Sequence, residues 1–504
     1  AHLMVREDKA LIDDVEKEIR STGDNVEQCL HRVSQRYYDY FNQLEDVYLR
    51  ERASDLKDIS RRLIRNLMGA TAAGTVFLEE ARVLVSEDLT PSDTASLDRS
   101  KILAIATETG GQTSHAVIMA RASGVPAVVG VRSLTEGLGE GDTLLVDGFE
   151  GVVIINPSET TLFRYGKVGI RRKKLKSLVE KDAKEPALTK DGHEFRLYAN
   201  ADTPEEVAAA IESSCQGVGL FRTEALFLRK NEMPPEDVQY FHYRELVESA
   251  NSLSVTIRTL DLGGDKVLNL AEREKETNPF MGFRAIRYCL RNPDIFLLQL
   301  RAILRASGHG EVKIMFPMIS GVGEVIRAKN LLDRAKDELR SEKIEFDEKI
   351  EIGCMIETPA AVTICDLLAH EVDFFSVGTN DLVQYLLAVD RVNNEIAYLY
   401  EPHHPAVIRS LQHVSQVAKN MGKPITVCGE IAGDPHFLPI LLGLGFENLS
   451  CAPPLLQELK FFGRRFTQIE CEELVAEVLS MSRPVRIKEK LKEFYDLRVA
   501  DLLA

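Results

Sequence analysis

From Gly192 to the C-terminus, short strand-like stretches alternate with stretches of helical length. Two parallel strands need a crossover of a dozen or more residues, which is usually a helix. Eight such repeats in succession are typical of a (β/α)8 barrel of the TIM type, so we expect that fold over residues 191–504. The eight strand candidates are EFRLYANA, GVGLFRTE, SVTIRTLDLG, VKIMFPMI, IEIGCMIE, FFSVGTND, ITVCGE and ENLSCAP.

Polar side chains gather at the ends of these strand candidates. In TIM-type barrels the C-terminal ends of the strands form the face that carries the chemistry. We therefore expect the polar side chains to meet at one mouth of the barrel. They are Asn200, Arg222, Glu224, Arg258, Asp261, Glu357, Asn380, Asp381, Cys428 and Glu430.

Two carboxylates of this set, Glu357 and Asp381, end the fifth and sixth strand candidates. The barrel would bring them together over its mouth. Two hard oxygen ligands, completed by water and substrate oxygens, suit Mg²⁺, with Mn²⁺ as a substitute. Asp381 also precedes LVQYLLAV, where it could instead cap a helix. The position of both residues at the expected catalytic face favours the metal site.

Cationic side chains lie close to the same strand ends. Arg222, Arg258 and Arg391, with Lys266 in GGDK, would supply positive groups for a small anion that bears phosphate and carboxylate. Any one of these residues alone is more often part of a surface ion pair. Three arginines at strand or loop ends, beside two acids, favour the anion site.

Cysteine and histidine in this region have plain interpretations from their surroundings. Cys428 lies between the apolar ITV and Gly429, and such a cysteine is by default a buried packing residue. His403 and His404 precede Pro405. Because adjacent side chains rarely converge on one ion, we interpret both as loop histidines.

The N-terminal part of the chain has a different pattern. Residues 1–68 show apolar spacings of three, four or seven, which predict helices. After Gly69 and Gly74, short strand candidates predict a compact α/β unit that carries His115. The candidates are residues 81–85, 101–106, 126–129, 142–146 and 151–155.

His115 is the residue of chemical interest in that unit. Gly110 and Gly111 free the backbone for a tight turn, and Thr113 and Ser114 offer hydroxyls. The N-terminus of the following helix, AVIMARAS, presents N–H donors and a positive dipole, which disfavour imidazolium and stabilise a phosphoryl group on the ring nitrogen. A neutral nucleophile fits this environment. An ordinary capping histidine is the alternative.

Composition narrows the functional classes. The formal net charge of −16 argues against a nucleic-acid-binding surface and against attraction to anionic membranes, and it favours a basic protein partner.

The charged segment 158–186 is interpreted as a solvated linker helix. The eight cysteines include no C-x-x-C pair, so neither a zinc site nor a disulfide framework is indicated. We expect a soluble cytoplasmic protein without membrane insertion.

Several motifs, taken in order, resemble one family over essentially the whole chain. They are GGQTSHAVIMARASGVPAVVG, GLFRTE, RTLDLGGDK, NPFMGFRAIR, IETPAA, SVGTNDLVQYLLAVDR and CGEIAGD. Together they resemble Enzyme I of the phosphoenolpyruvate-dependent phosphotransferase system. The resemblance implies that phosphoenolpyruvate binds with Mg²⁺ at the barrel mouth and phosphorylates His115. Pyruvate leaves, and the phosphoryl group passes to the small carrier protein HPr.

The resemblance also implies roles for individual residues. Glu357 and Asp381 would hold the metal, and Cys428 would protonate the enolate carbon, which replaces the packing interpretation of that cysteine. The residues implied to bind substrate are Arg222, Arg258, Lys266, Arg284, Asn380, Arg391 and Glu430. A homodimer formed through the barrel is likewise implied.

The implied domain order is a helical carrier-docking subdomain (1–70), a phosphohistidine α/β domain (71–157), a helical linker (158–190) and the phosphoenolpyruvate-binding barrel (191–504). Members of the family begin earlier, so we expect this sequence to be incomplete at its N-terminus. The nitrogen-regulatory paralogue with its own carrier stays open as an alternative. A pyruvate phosphate dikinase-like enzyme without its ATP domain is disfavoured, because the sequence contains no G-x-x-x-x-G-K-[ST] loop. His115, Glu357, Asp381 and Cys428 argue against a non-catalytic scaffold.

Overall fold

The chain forms two units, residues 1–165 and 166–504, in the computed structural model. The structure describes residues 9–43, 60, 63–64, 67, 81–87, 89, 101–109, 117, 120, 125–139, 141–148, 151–182, 185–212, 215–228, 233–262, 278–391, 393 and 395–503. His115 and Lys266, both predicted site residues, lie outside these described residues.

The first unit begins with two helices, α1 (Lys9–Thr22) and α2 (Val26–Gln43), as their apolar periodicity predicts. Their apolar faces share a small core in which Cys29 and Val33 are fully buried. The Tyr37 hydroxyl adds a hydrogen bond of 2.9 Å to the Asp14 carboxylate. The predicted helical character of this region is therefore confirmed for the two described helices.

Among the described residues of the first unit, five short strands follow, each within one residue of the predicted limits or inside them. Strands β1, β2 and β3 form a parallel sheet in that order, and β4 pairs with β5 antiparallel. The buried side of the sheet includes Ile105, at the centre of a small apolar cluster. The strands are β1 (Arg82–Ser86), β2 (Ile102–Thr107), β3 (Ala127–Val128), β4 (Leu144–Asp147) and β5 (Val152–Ile155).

The segment interpreted as a solvated linker helix is helical, as α3 (Glu159–Asp182), but it is not solvated throughout, because Leu175, Leu178 and Val179 pack against the core of the barrel unit. After it, eight parallel strands close into a barrel in sequence order, with the last strand pairing with the first. This closure confirms the predicted TIM-type fold. The barrel strands are β6 (Arg196–Ala201), β7 (Gly217–Phe221), β8 (Ser254–Arg258), β9 (Val312–Phe316), β10 (Glu351–Ile356), β11 (Phe374–Val377), β12 (Ile425–Val427) and β13 (Asn448–Cys451).

Helices cover the outside of the barrel. They are α4 (Pro204–Glu212), α5 (Glu224–Leu228), α6 (Glu236–Ser249), α7 (Ala285–Arg291), α8 (Pro293–Ser307), α9 (Val322–Glu342), α10 (Pro359–Thr363), α11 (Cys365–Leu368), α12 (Thr379–Leu387), α13 (Pro405–Asn420), α14 (Leu438–Gly443), α15 (Leu456–Gly463), α16 (Gln468–Ser480) and α17 (Pro484–Leu503). Short 3₁₀ turns occur at Pro279–Met281, Ala397–Leu399, Glu430–Gly433 and Pro453–Leu455.

The barrel strands are buried on both faces, which explains their nearly continuous apolar sequence. Every residue of β7 and of β11 is buried. The outward-facing side chains pack against the helices, and the inward-facing ones form a separate cluster inside the barrel. That interior cluster consists of Leu220, Met315, Met355, Phe374 and Cys428.

All eight cysteines are free and buried. Among the residues that the structure describes, no helix combines the length and the apolar character needed to cross a membrane.

Close packing of α14 against α16 yields a stability prediction. A Cβ atom added at Gly443 would overlap the carbonyl group of Cys471 and lie 2.8 Å from Val475 Cγ2. We therefore expect Gly443→Ala to destabilise the barrel unit by about 1–3 kcal/mol, measured as a lower midpoint of thermal or urea unfolding.

Gly323→Ala is the matched control, because Gly323 lies in the first turn of α9 with no atom within 4 Å of the added Cβ. Alanine there should be neutral or stabilising by about 0.5–1 kcal/mol. Equal midpoints for the two variants would contradict the packing argument.

Candidate active site at the mouth of the barrel

Glu357 and Asp381 come together at the C-terminal ends of neighbouring strands. Glu357 directly follows β10, and Asp381 is the third residue of α12, the helix that follows β11. The N-cap of α12 is Gly378, and no side chain caps that end. Asp381 Oδ1 is buried without a hydrogen-bond partner among the described residues. Asp381 therefore does not cap α12, and the capping alternative is wrong.

The environment of Glu357 is dry and negatively charged. The residue is 1% exposed, and its Oε1 accepts a hydrogen bond of 2.6 Å from the Met318 backbone N–H. Burial, followed by the charges of Asp381 and Asp261, raises the pKa of Glu357 to about 8, although Arg258 opposes the shift. The Asp381 carboxylate is thus near enough to repel charge on Glu357 where little water can screen the repulsion.

Gly378 permits the approach of the loop after β11 to Glu357. A Cβ atom at position 378 would overlap Glu357 Oε2 and would lie 2.7 Å from Met355 Cε. A glycine is therefore required for the loop to pass this close to the carboxylate.

Arg258 and Arg284 are joined by one carboxylate. Arg258, the last residue of β8, pairs with Asp261 at 2.8 Å and with Glu224 at 2.9 Å. Arg284 pairs with the other oxygen of Asp261 at 2.7 Å and donates to the Tyr385 hydroxyl at 3.2 Å. Although burial opposes the charged form, these acids raise the pKa of both arginines above the ordinary value. Both guanidinium groups are therefore fixed and charged.

Arg222 and Arg391 are more exposed members of the same face. The Arg222 guanidinium lies 3.1 Å from Asp202, and the Arg391 guanidinium lies 3.5 Å from Asp381 Oδ1. Arg284 also approaches Asp381, at 3.8 Å. Asp261 thus links Arg258 to Arg284, and Asp381 links Arg284 to Arg391. Each of the four predicted arginines has an acidic partner.

Asn380 and Glu430 connect the loops after β11 and β12. The Asn380 amide donates to Glu430 Oε1 at 3.1 Å, and its oxygen accepts from the Glu430 backbone N–H at 2.8 Å. The Tyr400 hydroxyl donates to the Asn380 carbonyl at 3.2 Å. A Cβ atom at Gly429 would overlap Thr379 Oγ1, so these loops touch at backbone distance. The two predicted substrate-binding residues are therefore neighbours.

Cys428 follows β12 and is 2% exposed. Its sulfur belongs to the cluster inside the barrel and accepts a hydrogen bond of 3.2 Å from the Ser376 hydroxyl. Burial raises the pKa of the thiol to about 11. Asn200 donates to the Cys428 carbonyl at 2.9 Å. The cysteine is a buried packing residue, and it is also a protonated thiol near the polar mouth.

His403 and His404 make local contacts in their loop. His403 lies 3.2 Å from the Glu401 carboxylate and packs on the Phe437 ring. His404 caps α13, with its Nδ1 accepting from the Ala406 backbone N–H at 3.1 Å. These contacts agree with their interpretation as loop histidines.

Sequence reasoning missed several residues that hold the site. Tyr385 and Tyr400 bind the loops around the mouth, and Ser376 contacts the Cys428 sulfur. Ser376 could have been noticed, because it is a lone polar residue inside the apolar β11. The two tyrosines give no comparable signal, since aromatic residues are common around any core.

Three family models of phosphoenolpyruvate (PEP)-utilising enzymes match the chain. The model for the PEP-binding domain of these enzymes matches residues 176–467, the model for their mobile domain matches residues 78–151, and the model for their N-terminal part matches residues 1–52.

Similar proteins cover almost the whole chain. The phosphoenolpyruvate-protein phosphotransferase of Priestia megaterium is 40% identical over 497 residues, which is 99% of this chain and 87% of the relative. That of Bacillus subtilis (strain 168) is 40% identical over 495 residues, with 98% and 87% covered. A solved structure of an Enzyme I protein is 39% identical over 34% of this chain and 69% of that chain, with a TM-score of 0.27. The chain therefore belongs to the phosphoenolpyruvate-protein phosphotransferase family, known as Enzyme I.

Proposed function

We propose that His115 of this phosphoenolpyruvate-protein phosphotransferase accepts the phosphoryl group of phosphoenolpyruvate and passes it to an HPr-type carrier protein. The observation that carries the proposal is the buried chain of Arg258, Asp261 and Arg284 beside the Glu357 and Asp381 pair. These groups lie at the catalytic end of a barrel, in the segment that matches a PEP-binding domain.

Phosphoenolpyruvate offers a phosphate and a carboxylate, and the mouth offers arginines that are already oriented. Ion pairing keeps the Arg258 and Arg284 guanidinium groups in fixed positions, so little side-chain entropy remains to be lost when substrate binds. Arg222 and Arg391 are more exposed and can turn toward the anion. Asn380, Glu430 and Lys266 complete the proposed substrate contacts.

The charge balance of the mouth supports a divalent cation. Among the residues that the structure describes at the mouth, acidic groups outnumber the arginines, so these side chains alone give a highly charged anion little net attraction. The arginines are Arg222, Arg258, Arg284 and Arg391, and the acidic groups are Asp202, Glu224, Asp261, Glu357, Asp381 and Glu430. A bound cation would reverse this balance.

Glu357 and Asp381 fit Mg²⁺, or Mn²⁺ in its place. Asp381 Oδ1 is buried without a hydrogen-bond partner among the described residues, with the Arg391 guanidinium 3.5 Å away. Burial and the charges of Asp381 and Asp261 raise the pKa of Glu357, and a cation bound by the two carboxylates would relieve that repulsion. The described residues contain no metal-ligating cluster of three or more His, Cys, Asp or Glu side chains. The remaining ligands would thus be substrate and water oxygens, as Mg²⁺ commonly accepts. When bound, the ion neutralises charge on the transferring group.

Cys428 is proposed to protonate the enolate carbon and so form pyruvate. Its raised pKa keeps the thiol protonated at neutral pH, which is the state that a general acid needs. Arg258 and Arg222 lie near enough to affect the thiol electrostatically. Arg258 also contacts Met355, a member of the cluster around the Cys428 sulfur, at 3.9 Å.

The assignment of His115 rests on its sequence context, since the residue lies outside the described part of the chain. We also propose the domain division 1–70, 71–157, 158–190 and 191–504, with carrier docking by the first domain and homodimerisation by the last. Free cysteines fit a reducing cytoplasm. Transfer assays with HPr and with its nitrogen-regulatory counterpart test the proposed carrier.

His115→Ala tests the proposed separation of the nucleophile from the substrate site. This variant should form no phosphoenzyme from labelled phosphoenolpyruvate and Mg²⁺, yet it should bind both ligands with native affinity, because nucleophile and substrate site lie in different domains. The native phosphoenzyme should be acid-labile and base-stable, as a phosphoramidate is. Acid-stable label would point to Ser114 or Thr113, and a combined loss of binding and labelling would refute the separation of the two sites.

Cys428→Ala should slow pyruvate formation by about 10²–10⁴-fold and leave the affinity for phosphoenolpyruvate unchanged, because a general acid acts mainly on the transition state. Steady-state kinetics with phosphoenolpyruvate and the carrier protein measure both quantities. A native rate of pyruvate formation would return Cys428 to a packing role.

The raised pKa of Glu357 yields a stability prediction. An acid whose folded-state pKa lies near 8 stabilises the fold at low pH, and that contribution is lost as pH rises from about 4.3, the ordinary value, to about 8. In EDTA, the thermal midpoint of the native protein should therefore fall more between pH 5 and pH 8 than that of Glu357→Gln. Mg²⁺ at pH 8 should raise the native midpoint more than the variant midpoint.

Glu351→Gln is the matched control for this experiment. Glu351 lies at the opposite end of the same strand, where it pairs with Lys313 at 2.6 Å. This variant should keep the native pH dependence. If Glu357→Gln also keeps it, the charge on Glu357 does not oppose folding.

A further inference from the structure

The position of Cys428 is fixed by hydrogen bonds to both its main chain and its side chain. The Cys428 backbone N–H donates to the Val377 carbonyl at 3.1 Å, and the Cys428 carbonyl accepts from the Asn200 amide at 2.9 Å. Asn200 is itself held by Ser450, whose hydroxyl donates to Asn200 Oδ1 at 2.7 Å. The main chain of Cys428 is therefore anchored on two sides without help from Ser376.

Ser376 contacts the reactive end of the side chain instead. Its hydroxyl donates to Cys428 Sγ at 3.2 Å, and the thiol can donate to the Val377 carbonyl at 3.4 Å. Ser376 is 1% exposed and points into the barrel interior from β11. Because the backbone is anchored independently, the serine hydroxyl acts on the sulfur rather than on the position of the loop.

The side chains packed around the sulfur are apolar and do not solvate negative charge, although the charges of Arg258 and Arg222 favour the thiolate. Leu220, Met315, Met355 and Phe374 form the rest of the cluster around it. A thiolate in such a place lacks solvation unless a donor is directed at it. The Ser376 hydroxyl is that donor, and a hydrogen bond to an ionised acceptor is roughly twice as strong as one to a neutral acceptor.

We propose that Ser376 is a positioning residue that orients the Cys428 thiol and stabilises the thiolate left when its proton is transferred. This inference rests on the proposed role of Cys428 as the acid. In the step, the enolate C=C electron pair forms a bond to the thiol proton and the S–H bond breaks. The bonding pair remains on sulfur, where the Ser376 O–H solvates it. Solvent water returns the proton before the next turnover.

The energetic benefit appears only as charge develops on sulfur, so it belongs to the transition state. Substrate binding does not change the charge on the thiol and should be unaffected. Loss of a hydrogen bond to a charged group predicts a decrease in kcat of roughly ten- to a hundredfold, with an unchanged KM for phosphoenolpyruvate.

The test is a double-mutant cycle on the full chain, with the rate of pyruvate formation and the KM for phosphoenolpyruvate as readouts. The variants are Ser376→Ala, Cys428→Ala and the double variant. If Ser376 acts through Cys428, Ser376→Ala lowers kcat in the native background and has no further effect when Cys428 is alanine. An equal decrease in both backgrounds, or an unchanged kcat for Ser376→Ala, overturns the inference.

Two further variants separate this effect from damage to the fold. Ser415→Ala also removes a buried hydroxyl, which donates to the Leu444 carbonyl at 2.6 Å from α13, and it should keep the native kcat. Ser376→Cys, assayed with a reductant, keeps the volume but replaces O–H by a weak S–H donor. It should show the decrease in kcat with a near-native thermal midpoint. A native kcat for Ser376→Cys counts against the donor role.

Failure of this inference differs from failure of the proposed function. If Cys428→Ala keeps the native rate, the role of Cys428 and the role of Ser376 fall together. If Cys428→Ala is slow and Ser376→Ala is not, only the inference about Ser376 is overturned.

Discussion

The ion pairs of Asp261 with Arg258 and Arg284 hold the catalytic face in place. Asp261 uses one oxygen for each guanidinium, at 2.8 and 2.7 Å, and its side chain is 3% exposed. Removing one partner of such a buried pair leaves an uncompensated charge and costs about 3–5 kcal/mol. Through this carboxylate, the end of β8 is joined to Arg284, the residue just before α7.

Close backbone approach is the second constraint on this face. The loop after β11 passes Glu357 at Gly378, and the loop after β12 meets that same loop at Gly429. Side chains at either position would separate the strand ends. The two glycines therefore allow carboxylate, amide and thiol groups from three adjacent strands to share one mouth.

The strands and their order were predictable because each barrel strand is an apolar run with a polar end. The candidate VKIMFPMI contains β9, Val312–Phe316, and FFSVGTND contains β11, Phe374–Val377. Polar residues at the ends of six strands could be expected at one mouth, because parallel closure places all C-terminal strand ends together. The known arrangement of strands in a parallel barrel was therefore sufficient to predict which strand ends form the mouth.

Pairing within the mouth was not predictable. Arg258 and Asp261 are only three residues apart, but Arg258 is far in sequence from Glu224, and Arg284 is far from Asp381. No local pattern indicates these longer-range pairs. From the sequence, the arginines were predicted to bind a substrate anion. In the structure, each of them lies beside a protein carboxylate. The difference arises because these ion pairs depend on which side chains the fold brings close together, rather than on residue type.

Cys428 shows why packing and catalysis need not be alternative interpretations of one residue. Its burial among apolar side chains is what raises the pKa of the thiol to about 11 and keeps the proton on sulfur. The same burial makes the thiolate costly, and the Ser376 hydroxyl directed at the sulfur offsets part of that cost. In the function proposed above, a packing position at the end of a barrel strand thus supplies the acid, and the polar residue in the neighbouring strand assists it.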